Sequence, residues 1–412
     1  MPPFAPFARD LYSAGVTGTN GKTSTTLMIS AIFRAAGLAC SFETTLGRGG
    51  SGDSVFEPRE GMAFSDYARK AVERGTTHLA VEVTSESLAR GWGKQWRFDC
   101  GVFTNLSRDH LDAHGSFEHY LASKAQLFIH LGPGRTAVLN ASDPASVLLD
   151  RVIPPDVLRS NYASVSRGPA ALDAALAARC ITIAREGTRI DLEPSPHAEA
   201  LGGVLHTPLI GAVFGENALA AALAGLAAGV APKSVVAGLA SLERVPGRFE
   251  VVGREPLVAV DYAHTPDALA RITDSSRQLA GATPGGRLIV VFGAGGNRDA
   301  EKRQPMGEAV GRRADYAIIT SDNPRSEDPR VIARALEAGC RRGGRAHVRV
   351  ELDRKSAIHQ AIDRAAPGDV VLICGKGHET GQTLGEQTFP FDDRGVASER
   401  LGRRRTGAAG GD

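Results

Sequence analysis

Residues 15–26 read GVTGTNGKTSTT and lie between a short apolar stretch and the helical pattern LMISAIFRAAG. A glycine-rich turn that leads from a strand into a helix is typical of a phosphate-binding loop. Gly18 and Gly21 would let backbone N–H groups approach a polyphosphate. Lys22 would supply positive charge to the terminal phosphates, and Thr23 would offer a hydroxyl to Mg²⁺. The predicted nucleotide-loop residues are Thr17, Gly18, Thr19, Asn20, Gly21, Lys22, Thr23 and Ser24.

The loop departs from the strict G-x-x-x-x-G-K spacing, because Val16 stands where the first glycine would be. The alternative interpretation is a Gly/Thr-rich turn that happens to carry a lysine. A P-loop motor or GTPase would need a guanine-reading DxxG or NKxD motif, and neither stands in a suitable place.

Outward from this loop, short apolar runs alternate with Ala-rich helical segments. This rhythm predicts repeated strand–helix units, hence an α/β fold with mainly parallel sheets. Residues 187–204 read instead as short strands with turns, which predicts a small antiparallel insertion. The apolar runs are at 79–83, 100–103, 136–139, 257–260, 288–292, 316–319 and 369–374.

A domain joint is predicted near residues 245–248, where a helical pattern over 216–243 ends in Pro-Gly. We therefore expect one domain over 1–247 and a second over 248–402. The basic, then Gly/Ala-rich end, 403–412, is expected to be a disordered tail.

Composition excludes several classes of protein. The 412 residues contain 48 Lys+Arg against 46 Asp+Glu, so nothing global argues for binding nucleic acid or an anionic membrane. No apolar run of about 20 residues and no signal-peptide pattern occurs, which predicts a cytoplasmic protein. The five cysteines are isolated, so we expect reduced packing residues rather than a disulfide framework or a zinc site.

Several strings in one order resemble the Mur ligase family, and the resemblance covers nearly the whole chain. It implies a P-loop central ATPase domain with a mainly parallel sheet and a Rossmann-like C-terminal domain. It also implies an ATP-dependent ligase that activates a carboxylate as an acyl phosphate and lets an amine displace the phosphate. The strings are TGTNGKT at 17–23, VEVTSES at 81–87, TNLSRDHLDAHG at 104–115, SKAQLF at 123–128, GENALAA at 215–221, VPGRFE at 245–250, DYAHTPDAL at 261–269, FGAGGNRDAEKR at 292–303, SDNPRSEDP at 321–329 and GKGHE at 375–379.

The resemblance implies a catalytic group of Lys22, Lys124 and His110. One Mg²⁺ would be held by Thr23 and Glu82, and a second would lie near His110. Lys124 stands where the family carries a carbamylated lysine, whose CO₂ adduct is an anionic metal ligand. Taken alone, Lys124 also fits a surface lysine, and His110 a core histidine.

The resemblance also implies contacts with ATP for several further residues. Asn217 matches an asparagine that contacts adenine, and Asp261 matches an acidic residue near the ribose or phosphates. Arg248 resembles a linker arginine that reaches the nucleotide when the domains close. His264 lies in a matching string and would border the same cleft, or else pack at a helix start. The ATP site is thus expected to involve both domains, with domain closure as the gate.

The amine site is implied by DNPR, the form of this loop in family members that take meso-diaminopimelate. The guanidinium of Arg325 would hold a distal carboxylate bidentately, whereas it would repel a lysine ammonium. A structural turn with an exposed arginine is the alternative. The implied amino-acid residues are Asp322, Asn323, Arg325, Gly375, Glu379 and Arg298.

Three departures from the family pattern concern the acceptor. Only 14 residues precede Gly15, so we expect the family's N-terminal UDP-sugar domain to be absent. The TTP string has no counterpart, and the usual SSHAL begins here with Thr84, Ser85 and Glu86. These departures predict an acceptor other than the usual UDP-N-acetylmuramoyl dipeptide, at a site that includes those three residues.

The partners are therefore predicted to be an amino acid, a carboxylate acceptor, and a separate acceptor-binding protein or carrier. Two alternatives stay open. One is an ordinary tripeptide-forming ligase of wall synthesis whose N-terminal domain is missing or supplied separately. The other is an inactive scaffold that binds nucleotide.

Overall fold

A computed structural model describes residues 6–8, 11–50, 57, 62–107, 116–164 and 170–409, with 6 and 405–409 described as backbone only. The chain divides into two compact units, Met1–Glu243 and Arg244–Asp412. This boundary lies four residues before the predicted joint between 247 and 248. The exact domain limits stay a prediction.

The first unit is built on a seven-stranded sheet of order β3-β2-β4-β1-β5-β6-β7. Every neighbouring pair is parallel except β2 and β3, which form an antiparallel hairpin. The inner strands are buried except at Tyr12 and His78, the first residues of β1 and β4, as expected of a parallel sheet covered by helices. The strands are β1 Tyr12–Thr17, β2 Cys40–Thr44, β3 Gly47–Gly49, β4 His78–Glu82, β5 Cys100–Phe103, β6 Thr136–Leu139 and β7 Leu158–Arg159.

A second, four-stranded sheet of order β11-β10-β9-β8 completes this unit. The antiparallel pairing of β9, β10 and β11 confirms the antiparallel strands predicted within 187–204, although Pro196–Ala200 in that range forms a helix, and β8 joins in parallel. These strands are β8 Tyr162–Ser164, β9 Leu176–Ala184, β10 Gly187–Leu192 and β11 Val204–Thr207.

The helices of the first unit follow a short 3₁₀ turn over Pro6–Ala8. They are α1 Lys22–Ala35, α2 Phe64–Glu73, α3 Ser85–Ala89, α4 Trp92–Gln95, α5 Phe117–Ile129, α6 Ala145–Val152, α7 Pro196–Ala200, α8 Ala212–Ala227 and α9 Pro232–Ser241. The single helix predicted over 216–243 is wrong, because it is two helices. Gly229 takes a positive φ of 76° after α8, and Pro232 begins α9, where its missing N–H costs nothing.

The second unit has a six-stranded sheet of order β12-β13-β17-β14-β15-β16, in which only β12 runs antiparallel. Its strands are β12 Glu250–Arg254, β13 Leu257–Asp261, β14 Leu288–Phe292, β15 Tyr316–Ile319, β16 His347–Val350 and β17 Val370–Cys374, with a separate hairpin of β18 Gly381–Leu384 and β19 Gln387–Pro390. Its helices are α10 Pro266–Gly281, α11 Arg303–Gly311, α12 Pro329–Gly343, α13 Arg354–Arg364 and α14 Asp393–Ala409. The predicted α/β class with mainly parallel sheets is confirmed.

The last helix overlaps the segment 403–412, whose disorder stays a prediction. α14 continues to Ala409, seven residues into the segment predicted to be disordered. The Arg404 guanidinium, its final described side chain, donates hydrogen bonds to the carbonyl oxygens of Ile362 and Ala365 at the end of α13, 2.6 Å each. Residues 410–412 lie outside the described part.

All five cysteines are free thiols, as expected. Four are buried, whereas Cys180 is exposed on β9, so the packing role is wrong for that residue. Within the described ranges, no helix is both long enough and apolar enough to cross a bilayer.

Candidate active site

The predicted phosphate loop connects β1 to the N-terminus of α1 and is tied to the segment after β5. Gly21 occupies the cap position of α1 with φ of 87°, and it offers no side-chain cap. The Thr104 hydroxyl donates to the Asn20 carbonyl at 2.7 Å, and the Asn105 amide both accepts from the Asn20 N–H and donates to its carbonyl, 2.9 Å each. Because Gly21 has no side chain, the cap residue offers no partner to the first N–H groups of α1. Such N–H groups at a helix N-terminus commonly bind an anion.

Two lysine ammonium groups donate to carbonyl oxygens of this loop. Lys22 Nζ lies 2.8 Å from the Thr19 oxygen, and Lys124 Nζ, from α5, lies 2.7 Å from the Gly18 oxygen. Lys124 is only 1% exposed, and its ammonium sits 4.2 Å from the centre of the Tyr120 ring. The surface-lysine alternative is therefore wrong, and carbamylation of Lys124 stays a prediction.

A buried carboxylate faces the hydroxyl at the start of α1. Glu82, at the end of β4, receives hydrogen bonds on Oε2 from the Thr23 hydroxyl at 2.8 Å and from the Thr45 N–H and hydroxyl at 2.9 and 3.1 Å. Its Oε1 accepts no hydrogen bond from any residue that the structure describes. An anionic oxygen beside a hydroxyl, at 5% exposure, is a donor set that suits Mg²⁺.

The predicted ligand set is only partly visible. His110 lies outside the described residues. Among the residues that are described, no group of three or more His, Cys, Asp or Glu side chains is arranged to hold a metal.

Asn217, predicted to contact adenine, lies buried on α8 beside the phosphate loop. A β-carbon at Gly21 would stand 2.4 Å from Asn217 Oδ1, so the two residues are in direct contact. Gly18 is similarly confined, because a β-carbon there would stand 1.9 Å from Thr104 Oγ1. Close backbone approach explains why both positions carry glycine.

The three predicted acceptor residues follow β4 at the start of α3. Thr84 is the N-cap of this helix, and its hydroxyl accepts from the Ser87 N–H at 3.3 Å. Ser85 is buried and Glu86 is exposed. This arrangement gives Thr84 a structural task, and the acceptor roles of all three residues stay predictions.

In the second unit, the loops that follow β14, β15 and β17 meet around Asn323. Its side-chain Nδ2 donates to Glu379 Oε2 at 2.9 Å, while its Oδ1 accepts from the Thr383 N–H at 3.0 Å and from Lys376 Nζ at 3.3 Å. Its backbone carbonyl accepts from the Gly296 N–H at 2.9 Å. Asn323 and Glu379, predicted to bind the same amino acid, are thus brought together.

Arg325 is fixed by its backbone and by one edge of its guanidinium. It has φ of 52°, and its Nη1 donates to the Gly296 carbonyl at 2.7 Å and to the Asn323 carbonyl at 3.4 Å. Its Nε and Nη2 donate to no residue in the described ranges, and the side chain is half-buried. A guanidinium edge with two parallel N–H groups suits a carboxylate.

The other predicted amino-acid residues border the same loops. A β-carbon at Gly375, where φ is 116°, would stand 2.3 Å from Asp322 Oδ2. A β-carbon at Gly295 would stand 3.1 Å from Arg325 Nη1 and 3.7 Å from Arg298 Cγ, so Arg298 and Arg325 flank one glycine.

Asp261 ends β13 and holds the segment at the start of the second unit. Its carboxylate accepts from the N–H groups of Phe249 and Ala263, 2.7 Å each. Burial raises the pKa of Asp261 above its ordinary value, and the Arg248 guanidinium and these N–H groups oppose the rise. The Asp261 carboxylate thus binds two backbone N–H groups, and a contact between it and ATP stays a prediction.

An aromatic cluster lies beside Asp261. The Arg248 guanidinium stacks 4.4 Å from the centre of the Tyr262 ring, and His264 Nδ1 lies 2.8 Å from the Tyr262 carbonyl oxygen. The His378 ring also packs against Tyr262, with ring centroids 5.2 Å apart. A contact of Arg248 or His264 with nucleotide stays a prediction.

Sequence reasoning missed three residues that organise these sites. Thr45 and Tyr120 had no motif to single them out. Lys376 stood inside the quoted GKGHE string, but nothing in the string shows that its side chain is fully buried.

Two family profiles match the chain: "Mur ligase middle domain" over residues 16–225, and "Mur ligase, glutamate ligase domain" over residues 247–377. The UDP-N-acetylmuramoyl-L-alanyl-D-glutamate–2,6-diaminopimelate ligase of Solibacter usitatus (strain Ellin6076) is 41% identical over 394 residues, 94% of this chain and 76% of that relative. The ligase of the same name from Geobacillus thermodenitrificans (strain NG80-2) is 38% identical over 406 residues, 96% of this chain and 80% of that relative.

A solved structure of a UDP-N-acetylmuramoyl-L-alanyl-D-glutamate–2,6-diaminopimelate ligase has the same fold. It superposes with a TM-score of 0.66 at 30% identity, and the match covers 96% of this chain and 79% of that one.

Proposed function

This chain belongs to the Mur ligase family of ATP-dependent, amide-forming ligases, and on that premise we propose that it joins 2,6-diaminopimelate to UDP-N-acetylmuramoyl-L-alanyl-D-glutamate. The acceptor carboxylate would take the γ-phosphoryl group of ATP, and the amine would then displace phosphate from the acyl phosphate. The enzyme would lower the barrier by positioning these groups and neutralising charge on the phosphates.

The observation that supports this amine is the pair of Arg325 and Glu379 around Asn323. Arg325 keeps its Nε–Nη2 edge unused by the described residues, and Glu379 keeps Oε1 unused in the same sense. A cation and an anion that both contact one asparagine match a carboxylate and an ammonium on one carbon. Each end of 2,6-diaminopimelate is such a carbon, whereas the far end of lysine has no carboxylate.

The phosphate-binding residues would be the loop from Thr17 to Ser24, with Lys22 as its cation. Thr23 and Glu82 would hold Mg²⁺, which supplies charge neutralisation to the phosphates when bound. Lys124 would bear the carbamate, and His110 would be a second metal ligand; both assignments rest on the family resemblance alone.

The comparisons favour the usual acceptor over the different one that the sequence predicts. Relatives with 41% and 38% identity over nearly all of this chain are named for UDP-N-acetylmuramoyl-L-alanyl-D-glutamate. The change to Glu86 is therefore weak ground for another substrate. A separate acceptor-binding protein and an inactive scaffold are likewise not supported, because these relatives are named as ligases. A cytoplasmic location stays a prediction.

The test is ADP formation by the purified chain with a panel of amines and acceptors, followed by mass spectrometry of the product. We expect activity with 2,6-diaminopimelate and UDP-N-acetylmuramoyl-L-alanyl-D-glutamate together, and little with L-lysine. Saturable turnover with a different acceptor and none with this one would contradict the acceptor assignment.

Arg325→Ala sharpens the test of the amine. Loss of a bidentate charged contact should raise KM for 2,6-diaminopimelate by about tenfold to a hundredfold and leave KM for ATP unchanged. A matched control is Arg330→Ala, an exposed arginine on the adjoining helix. If the two variants behave alike, Arg325 does not bind the substrate carboxylate.

A further inference from the structure

Lys376 is a charged side chain with no exposed surface. It is 0% exposed and lies in the loop after β17, between two glycines that are themselves confined. A β-carbon at Gly375 would meet Asp322 Oδ2 at 2.3 Å, and one at Gly377 would meet the Tyr262 side chain at 2.7 Å. The backbone on both sides of the lysine is therefore held in place.

Three oxygen atoms surround its ammonium. Nζ lies 2.5 Å from the Gly381 carbonyl oxygen, 3.0 Å from Glu379 Oε2 and 3.3 Å from Asn323 Oδ1. An ammonium has three N–H donors, so all three are used inside the protein. Lys376 therefore has neither a free donor nor an open path with which to contact a substrate itself.

The contacts of Lys376 decide how its two neighbours are presented. Its ammonium and Asn323 Nδ2 both bind Glu379 Oε2, which turns one carboxylate oxygen inward. The other oxygen, Oε1, accepts nothing from the described residues, and the Glu379 side chain is 34% exposed. The ammonium also binds Asn323 Oδ1, which fixes the orientation of that amide.

We propose that Lys376 is the positioning residue of the amino-acid site: its buried ammonium holds Glu379 and Asn323 so that the free carboxylate oxygen receives the non-reacting ammonium of the amino-acid substrate. This inference rests on the proposed function, because it takes Glu379 as a contact of the amine. Lys376 acts only through these two residues, and it supplies the positive charge that keeps the Glu379 carboxylate in one orientation.

The experiment compares Lys376→Met, Lys376→Gln, Glu379→Gln and the double variant Lys376→Met/Glu379→Gln. KM for the amine, KM for ATP, kcat and thermal midpoint are measured for each. Lys355→Met is the matched control, since Lys355 is a half-exposed lysine of the same unit whose nearest anionic partner, Glu399, is 3.6 Å away.

We expect Lys376→Met to raise KM for 2,6-diaminopimelate about tenfold to a hundredfold, with KM for ATP changed less than about twofold. Lys376→Gln should fall between this variant and the wild type, because a glutamine amide still donates to Glu379. The double variant should lose less than the sum of the two single losses, since one of the two contacts through which Lys376 acts is that carboxylate.

Three results would overturn the proposal: an unchanged KM for the amine, additive effects in the double variant, or a glutamine variant worse than the methionine variant. The last would indicate a packing role only. Turnover by the wild type distinguishes failure of the Lys376 proposal from failure of the proposed function. If the wild type does not use 2,6-diaminopimelate, the proposed function fails. The same set of variants is then compared with the amine that the panel identifies.

Discussion

Replacing Gly21 by alanine tests the phosphate loop most directly. Gly21 has φ of 87°, a left-handed conformation that costs a residue with a β-carbon roughly 1–2 kcal/mol. The new methyl group would also stand 2.4 Å from Asn217 Oδ1, and forcing a side chain into such a space costs about 1–3 kcal/mol. The two effects sum to roughly 2–5 kcal/mol of lost folding stability, unless the loop moves to relieve them.

Movement of the loop would show in nucleotide binding. Gly21 caps α1, so a shift displaces the N–H groups that would face the phosphates. A misfit of only about 1.4 kcal/mol weakens binding tenfold. We therefore expect the dissociation constant for ATP, measured by calorimetric titration, to rise at least about tenfold in Gly21→Ala, with a lower unfolding midpoint.

A matched control separates the backbone strain from the site. Gly37, just beyond the other end of α1, has φ of 75°, and a β-carbon added there would meet no neighbouring atom within 4 Å. Gly37→Ala should therefore lose roughly 1–2 kcal/mol of stability and bind ATP as the wild type does. If Gly21→Ala binds ATP normally, or Gly37→Ala weakens binding equally, the loop assignment is refuted.

Two other variants probe the second unit. Gly375→Ala places a methyl group against Asp322, so we expect KM for the amine to rise about tenfold while KM for ATP stays constant. Steady-state kinetics with each substrate varied in turn measures both constants. Equal changes in the two KM values would contradict a local effect. Asp369 is buried beside Arg287, and although burial raises the pKa of its carboxyl, the guanidinium and backbone N–H groups lower it to below the ordinary 3.8. The ionised carboxylate therefore stabilises the fold, and Asp369→Asn should lower the free energy of unfolding at neutral pH. The difference in urea midpoint between this variant and the wild type should shrink as the pH falls through 3.8 and below. A difference that widens on acidification would contradict this assignment.

Much of the fold was accessible from local patterns. The candidate phosphate loop could be located from the sequence because glycines, a lysine and a threonine suited to phosphate binding lie within eight residues, and its role stays a prediction. The parallel sheets followed from apolar runs alternating with helical segments, and Asn323, Arg325 and Glu379 were found in short strings. Gly229 and Pro232 also mark the break between α8 and α9 in the sequence. The prediction of a single helix missed this break because the residues on both sides favour a helix.

The sequence by itself determined which residue types carry the chemistry and which segments form strands and helices, since these depend on neighbours a few positions away. Only the tertiary structure decided which groups meet. Thr45 reaches Glu82 across 37 positions, and Lys376 reaches Asn323 across 53, because the sheets bring together the ends of strands that are not consecutive in the chain. Burial of Lys376 follows from that same packing, so a lysine that reads like any other in the chain becomes a fixed, fully bonded cation in the loop after β17.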